Sequence, residues 1–182
     1  VQDSDREGTD MSTDIAVPLL DLKAQYDTLR EEMEPVVREV IESQYFIMGP
    51  RVTALEEDVA RYVGVQHAIG CGSGTDAILL ALMALDIGPK DEVICPSYTF
   101  FATGGSIHRL GAKPVFADID PVTYQMDNEH VREVARSCKR LRAIMPVHLF
   151  GMAADMDAYV DLGRELGVPI VEDAAQAIGT RD

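Results

Sequence analysis

Four short stretches of this chain carry residue types suited to gripping a small ligand. They are Gly70-Cys71-Gly72-Ser73-Gly74-Thr75-Asp76, Pro96-Ser97-Tyr98-Thr99-Phe100-Phe101, Pro146-Val147-His148-Leu149-Phe150-Gly151 and Glu172-Asp173-Ala174-Ala175-Gln176. In the first, glycines allow a tight turn into a helix, whose free N-terminal amides favour a phosphate. The same residues serve equally well as a capped turn with Ser73 or Thr75 at the N-cap. The chain holds no Gly-x-x-x-x-Gly-Lys, which excludes a Walker-type nucleotide site. Gly72-x-Gly74-x-x-Ala77 half-fits a dinucleotide fingerprint, with Asp91 and Glu92 near the distance expected of a ribose-binding carboxylate. They precede the next strand, however, where that carboxylate should end it.

Asp173 follows an apolar strand and precedes small residues, so it could meet a protonated ring nitrogen without crowding, as a pyridinium cofactor requires. Capping the next helix is the competing reading. Phe100 suits stacking on a flat ring or filling a core. For His148 a hydrogen-bonded core histidine is the plainer reading than a catalytic one. His67, His108 and His130 lack metal-ligand spacing, and no metal is expected. Asp118 and Asp120 precede Pro121, which reads as a turn.

These residues need a frame. Leu22, Tyr26, Leu29, Met33, Val36, Val37, Val40 and Ile41 recur at helical spacing, with Pro35 predicting a kink or two helices meeting. After the connector Phe46-Ile47-Met48-Gly49-Pro50, a helix carries Val52, Leu55, Val59 and Tyr62 and stops at Gly64. Strand and helix signals then alternate. Strands are expected at 67–71, 92–95, 113–118, 142–147 and 168–172, and helices at 75–85, 101–110, 128–138 and 156–166. Such alternation predicts an α/β fold, an α/β/α sandwich with a largely parallel central sheet. If the strands are parallel, the four stretches line one edge.

The chain has 182 residues, 47% hydrophobic and 26% charged, which fits a globular domain with an aliphatic core. Its net charge of −15 argues against nucleic-acid or anionic-membrane partners. The apolar run from Ala77 to Leu85 is too short to span a bilayer, and no signal peptide opens the chain, so a cytoplasmic location is expected. Residues 1–17 are acidic and lack apolar periodicity, as a disordered tail would. Cys71, Cys95 and Cys138 form no CxxC pair and read as reduced, mostly buried thiols.

Taken together, the motifs resemble the DegT/StrS-type nucleotide-sugar aminotransferases, enzymes that use pyridoxal 5′-phosphate (PLP) on the fold-type I aminotransferase fold. The resemblance runs from about Val17 to the end. It includes Pro18-Leu19-Leu20-Asp21-Leu22-Lys23-Ala24-Gln25-Tyr26, Phe46-Ile47-Met48-Gly49-Pro50, Ser73-Gly74-Thr75-Asp76-Ala77 and Asp91-Glu92-Val93-Ile94 with Pro96-Ser97-Tyr98-Thr99-Phe100. Pro146 to Gly151 and Glu172 to Ala177 complete it. It implies that Gly74 and Thr75 cradle the PLP phosphate and that Phe100 covers the pyridine face. Asp173 would then pair with the ring nitrogen, and Gln176 with the 3′ oxygen. It further implies an amino-acid donor, glutamate being the family's usual one, a keto group on a nucleotide-linked sugar as acceptor, and a homodimer.

In the family, the lysine that holds the cofactor lies well beyond the Asp-Ala-Ala-Gln motif. Here Lys23, Lys90, Lys113 and Lys139 all precede it, so no catalytic residue is assigned. Residues 18–182 are expected to be the N-terminal part of the PLP-binding large domain, inactive alone. A lysine-independent PLP-dependent sugar dehydratase and a non-catalytic dinucleotide-binding module are the alternatives.

Overall fold

The computed structural model describes residues 19–180. The acidic segment 1–17 lies outside the described residues. The chain divides into two compact units, residues 1–51 and 52–182.

In the first unit, α1 (Leu22–Ser43) starts at Asp21, whose side chain accepts the Ala24 N–H at 3.0 Å. It ends at Gln44, in the left-handed conformation at φ 60°. Of the two expectations at Pro35, that of two helices meeting there fails: α1 is one helix with Pro35 inside. Proline removes only one N–H and the bonds on either side carry the helix past it. Pro50 opens α2 (Pro50–Val63), where its missing N–H costs nothing, and Gly64 at φ 84° closes it.

The second unit contains all of α2 but its first two residues, then α3 (Gly74–Ala84), β1 (Glu92–Pro96), α4 (Phe101–Arg109), β2 (Lys113–Ala117), α5 (Asn128–Ser137), β3 (Leu141–Ile144) and α6 (Met156–Leu166). The three strands form a parallel sheet in the order β2-β1-β3. Side-chain alternation gives this sheet two cores. Val93 and Cys95 of β1 pack with Ile78 and Leu82 of α3 and Ala102 and Ile107 of α4. Ile94 points the other way, to Val131 of α5 and Tyr159 and Leu162 of α6. All of β1 is buried, as a central strand covered on both faces requires. This is the expected three-layer sandwich.

Two expected strands are altered. Residues 67–71 form no strand: Ile69 is 83% exposed, and the Gly70 N–H goes to the Glu56 carboxylate on α2 at 2.7 Å rather than to a neighbouring strand. Residues 168–172 do run parallel to β3 and its extension, but only through isolated bridges at Ile144/Ile170 and Val147/Asp173. Prolines explain this. Ile144 N–H donates to Pro169 O at 3.1 Å, Val171 N–H to Ile144 O at 3.0 Å, and Asp173 N–H to Pro146 O at 2.9 Å. Pro146 has no N–H to supply the bond between them, so the ladder is interrupted and β3 ends at Ile144.

Gly163 fixes how α6 lies on this segment. A Cβ there would sit 2.9 Å from the Val168 carbonyl oxygen and 2.9 Å from Ile170 Cδ1. Glycine to alanine inside a helix ordinarily gains about 1 kcal/mol. Here a backbone oxygen must move, and overpacking dominates. Gly163→Ala is therefore expected to destabilise the protein by about 1–3 kcal/mol, measured by urea unfolding. An unchanged or raised midpoint would contradict this packing.

Candidate functional site

The connections place a ligand site at one point of the sheet. From β1 the chain passes through α4 to β2 on one flank, then through α5 to β3 on the other. The loops beyond β1 and β3 therefore diverge at the carboxyl edge, where open α/β sheets bind ligands. A pocket of about 200 Å³ opens there, lined by Gly74, Thr75, Ile78, Thr99, Phe100, Ala102, Val147, Leu149, Asp173, Ala175 and Gln176. All four ligand-suited stretches contribute. Gly74, Thr75, Phe100, Asp173 and Gln176, the five residues singled out from the sequence, share its wall.

Ser73 is the N-cap of α3, its hydroxyl accepting the Asp76 N–H at 3.2 Å, so the capping reading holds. It leaves the two preceding amides free. Among the described residues, no acceptor meets the Gly74 or Thr75 N–H. Two unpaired amides at a helix N-terminus suit an anionic group. A Cβ at Gly74 would lie 3.9 Å from the Ala175 Cβ, so this end of α3 adjoins the loop that carries Asp173.

The Asp173 carboxylate spans two elements. Its Oδ1 accepts the Ala175 N–H at 3.3 Å and its Oδ2 the Thr103 hydroxyl at 3.3 Å. Both contacts are long and leave lone pairs for a cationic N–H. Gln176 accepts the Phe150 N–H at 2.8 Å through Oε1, which leaves Nε2 as a donor. Phe100, one of the lining residues, is 71% exposed. An anion cradle, a carboxylate, an amide donor and an aromatic face fit a flat, phosphorylated, ring-protonated molecule. Among the described residues, no lysine lines this pocket.

His148 takes its structural role. It is buried, its Nδ1 accepts the Ala154 N–H at 3.0 Å, and its Nε2 lies 3.2 Å from Glu172 Oε2. Nδ1 being an acceptor, Nε2 carries the proton and donates to Glu172. With both nitrogens engaged, the ring fastens the loop after β3 to the end of the 168–173 segment.

Asp91 and Glu92 lie at the opposite, amino edge of the sheet. Asp91 pairs with Arg140 at 2.7 Å. Glu92 Oε2 accepts the Lys139 and Arg140 N–H groups at 2.6 and 2.9 Å, and Oε1 takes Lys113 Nζ at 3.1 Å. The Arg140 backbone N–H foremost, then the Lys113 and Lys139 contacts, hold the Glu92 carboxyl below its ordinary range against the opposing cost of burial. Both carboxylates are spent on structure, so the dinucleotide fingerprint loses its acidic member.

Asp120 belongs to a turn, as expected: Oδ1 accepts the Val122 and Thr123 N–H groups at 2.9 and 2.7 Å. Of the thiols, Cys95 is buried, Cys138 half-buried and Cys71 exposed, so the expectation of buried thiols fails at Cys71. Burial pushes the Cys95 thiol up to about 12, leaving no nucleophilic thiolate at neutral pH. Among the described residues, no group of three or more His, Cys, Asp or Glu could hold a metal ion, and no helix is long and apolar enough to cross a membrane.

Thr99 and Thr103 were not legible as site residues. Thr103 is wholly buried on α4 and reaches Asp173 across 70 positions of sequence. Only the packing of α4 beside that loop reveals it.

The chain resembles known proteins over nearly all its length. It is 51% identical over 165 residues to a "Pleiotropic regulatory protein" of Geobacillus stearothermophilus, covering 91% of this chain and 44% of that protein. It is 43% identical over 171 residues to a UDP-N-acetyl-3-dehydro-alpha-D-glucosamine 3-aminotransferase of Acidithiobacillus ferrooxidans, covering 94% and 46%. The crystal structure of DesV from S. venezuelae, in complex with a ketimine intermediate, superposes with a TM-score of 0.85 at 43% identity, covering 90% of this chain and 43% of that one. The chain thus spans less than half the length of these proteins. The sequence model of one family matches residues 27–182, a span that takes in all four pocket-lining stretches. By that match, the chain belongs to the DegT/DnrJ/EryC1/StrS aminotransferase family.

Proposed function

We propose that this chain provides the PLP-holding part of an aminotransferase that moves an amino group from an amino acid to a keto group on a nucleotide-linked sugar. The observation that carries this reading is the convergence of the free α3 amides, Phe100, Asp173 and Gln176 on one pocket. Bound there, PLP supplies an electron sink for chemistry at the carbon bearing nitrogen. The Gly74 and Thr75 amides, with the α3 dipole, hold its phosphate. Phe100 covers one ring face and excludes water from it. Gln176 Nε2 donates to the ring's oxygen substituent while Oε1 stays tied to Phe150. Asp173 holds a proton on the ring nitrogen, which keeps the ring electron-withdrawing.

The substrate class rests on the named relatives, above all the UDP-sugar aminotransferase. A cytoplasmic setting and a homodimeric whole enzyme belong to the same reading. The exposed apolar rings of Phe100, Phe101 and Phe116 beside the site support self-association.

Titration of the purified protein with PLP, followed by absorbance of the bound ring, tests the reading. Saturable binding that inorganic phosphate displaces is the expected result, with no comparable binding of NAD. Absence of PLP binding, or preferential NAD binding, would reject it.

A further inference from the structure

Asp173 is held from a direction that its own loop does not explain. Its Oδ1 meets the Ala175 N–H two residues on, a local turn contact. Its Oδ2 meets Thr103 Oγ1, and Thr103 Oγ1 in turn lies 3.1 Å from Thr99 Oγ1. Chemistry fixes the direction of this chain of hydroxyls. An ionised carboxylate only accepts, so Thr103 donates to Asp173; its single proton thus spent, Thr103 accepts from Thr99. Thr103 is fully buried and Thr99 partly so, which removes water as a substitute partner for Thr103.

The two threonines also tie the carboxylate to a rigid part of the fold. Thr103 sits in the first turn of α4, where its own N–H donates to Phe100 O at 3.2 Å. The element bearing the ring-covering Phe100 thereby also aims the carboxylate. Two separate contacts, one on each oxygen, fix both the position and the rotation of the Asp173 side chain.

We infer that Thr103, with Thr99 behind it, is a positioning residue that orients the Asp173 carboxylate toward the cofactor's ring nitrogen. The inference rests on the function proposed above. Thr103 acts through Asp173 and touches no ligand itself. Its methyl contributes packing and its hydroxyl contributes orientation, so the two roles separate by substitution.

The test is a double-mutant cycle read by PLP titration of the purified protein, with thermal unfolding of the ligand-free protein measured beside it. Thr103→Val is expected to weaken PLP binding about tenfold, the scale of one hydrogen bond to a charged group, with the unfolding midpoint unchanged or raised. Thr103→Ser, which keeps the hydroxyl, should restore affinity to within about twofold. Thr99→Val should produce a smaller loss, because it removes only the second link. In an Asp173→Ala background, Thr103→Val should have no further effect. Wild-type affinity in Thr103→Val, or an equal loss in the Asp173→Ala background, overturns the inference while leaving the PLP reading intact. Failure of the wild-type protein to bind PLP overturns both.

Discussion

Asp173→Ala is expected to weaken PLP binding about 100-fold, the largest loss from any single side chain of the pocket. An ionised carboxylate facing a protonated ring nitrogen makes a charge-assisted hydrogen bond, roughly twice as strong as a neutral one. Alanine removes it and leaves the ring without a counter-charge. Asp173→Asn keeps the shape and an acceptor oxygen but no charge, so an intermediate loss of about tenfold is expected. The backbone of Asp173 should be indifferent to both changes. Its N–H still donates to Pro146 O at 2.9 Å and its carbonyl still accepts the His148 N–H at 3.0 Å. Ligand-free unfolding midpoints close to wild type, together with these affinity losses, would separate a ligand contact from a structural cap. Undiminished binding by Asp173→Ala would remove the carboxylate from the cofactor site.

The second large effect concerns stability. Tyr159 is the largest fully buried side chain of the fold, 1% exposed on α6, and its hydroxyl donates to the Met126 carbonyl. It fills the core between α5, α6 and the sheet and ties down the loop that precedes α5. Tyr159→Ala opens a cavity and orphans that carbonyl, an expected loss of about 3–5 kcal/mol and a fall in unfolding midpoint of roughly 10 °C. Tyr159→Phe keeps the ring and removes only the hydrogen bond, at an expected cost of about 1–2 kcal/mol.

The hydroxyl adds a pH dependence. Burial first, then the charges of Asp127 and Asp155, raise its ionisation above the ordinary value of 10.0. A raised folded-state pKa gives stability that is complete below the unfolded value and declines as pH rises above it. Stability should therefore fall above about pH 10, and less steeply in Tyr159→Phe. Parallel alkaline curves for the two proteins would show that the phenol is not buried in solution.

Much of the frame could be read directly from residue order. The 3.6-residue periodicity and the alternation of short apolar runs with helical stretches located six helices and the strands β1, β2 and β3 to within a few residues; α3 to α6 show it because each buries a face against the sheet, whereas α1 and α2 carry no buried residue. Asp21, Ser73, Asp127 and Asp155 cap helices through local contacts within three residues, and local contacts are the kind that sequence records.

Strand pairing is different, since a strand exists only beside a partner. The segment 67–71 has strand-like composition but donates its Gly70 amide to a side chain, and residues 168–173 lose a ladder bond because Pro146 lies in the neighbouring strand. The amino-acid sequence by itself determined the family, the alternation of strands and helices, and five of the eleven residues that line the pocket. Only the tertiary structure decided that Asp91 and Glu92 face away from it, that His148 is consumed by Ala154 and Glu172, and that Thr103 meets Asp173. Each of those depends on contacts between residues far apart in the chain, whose geometry is set when helices settle onto the sheet.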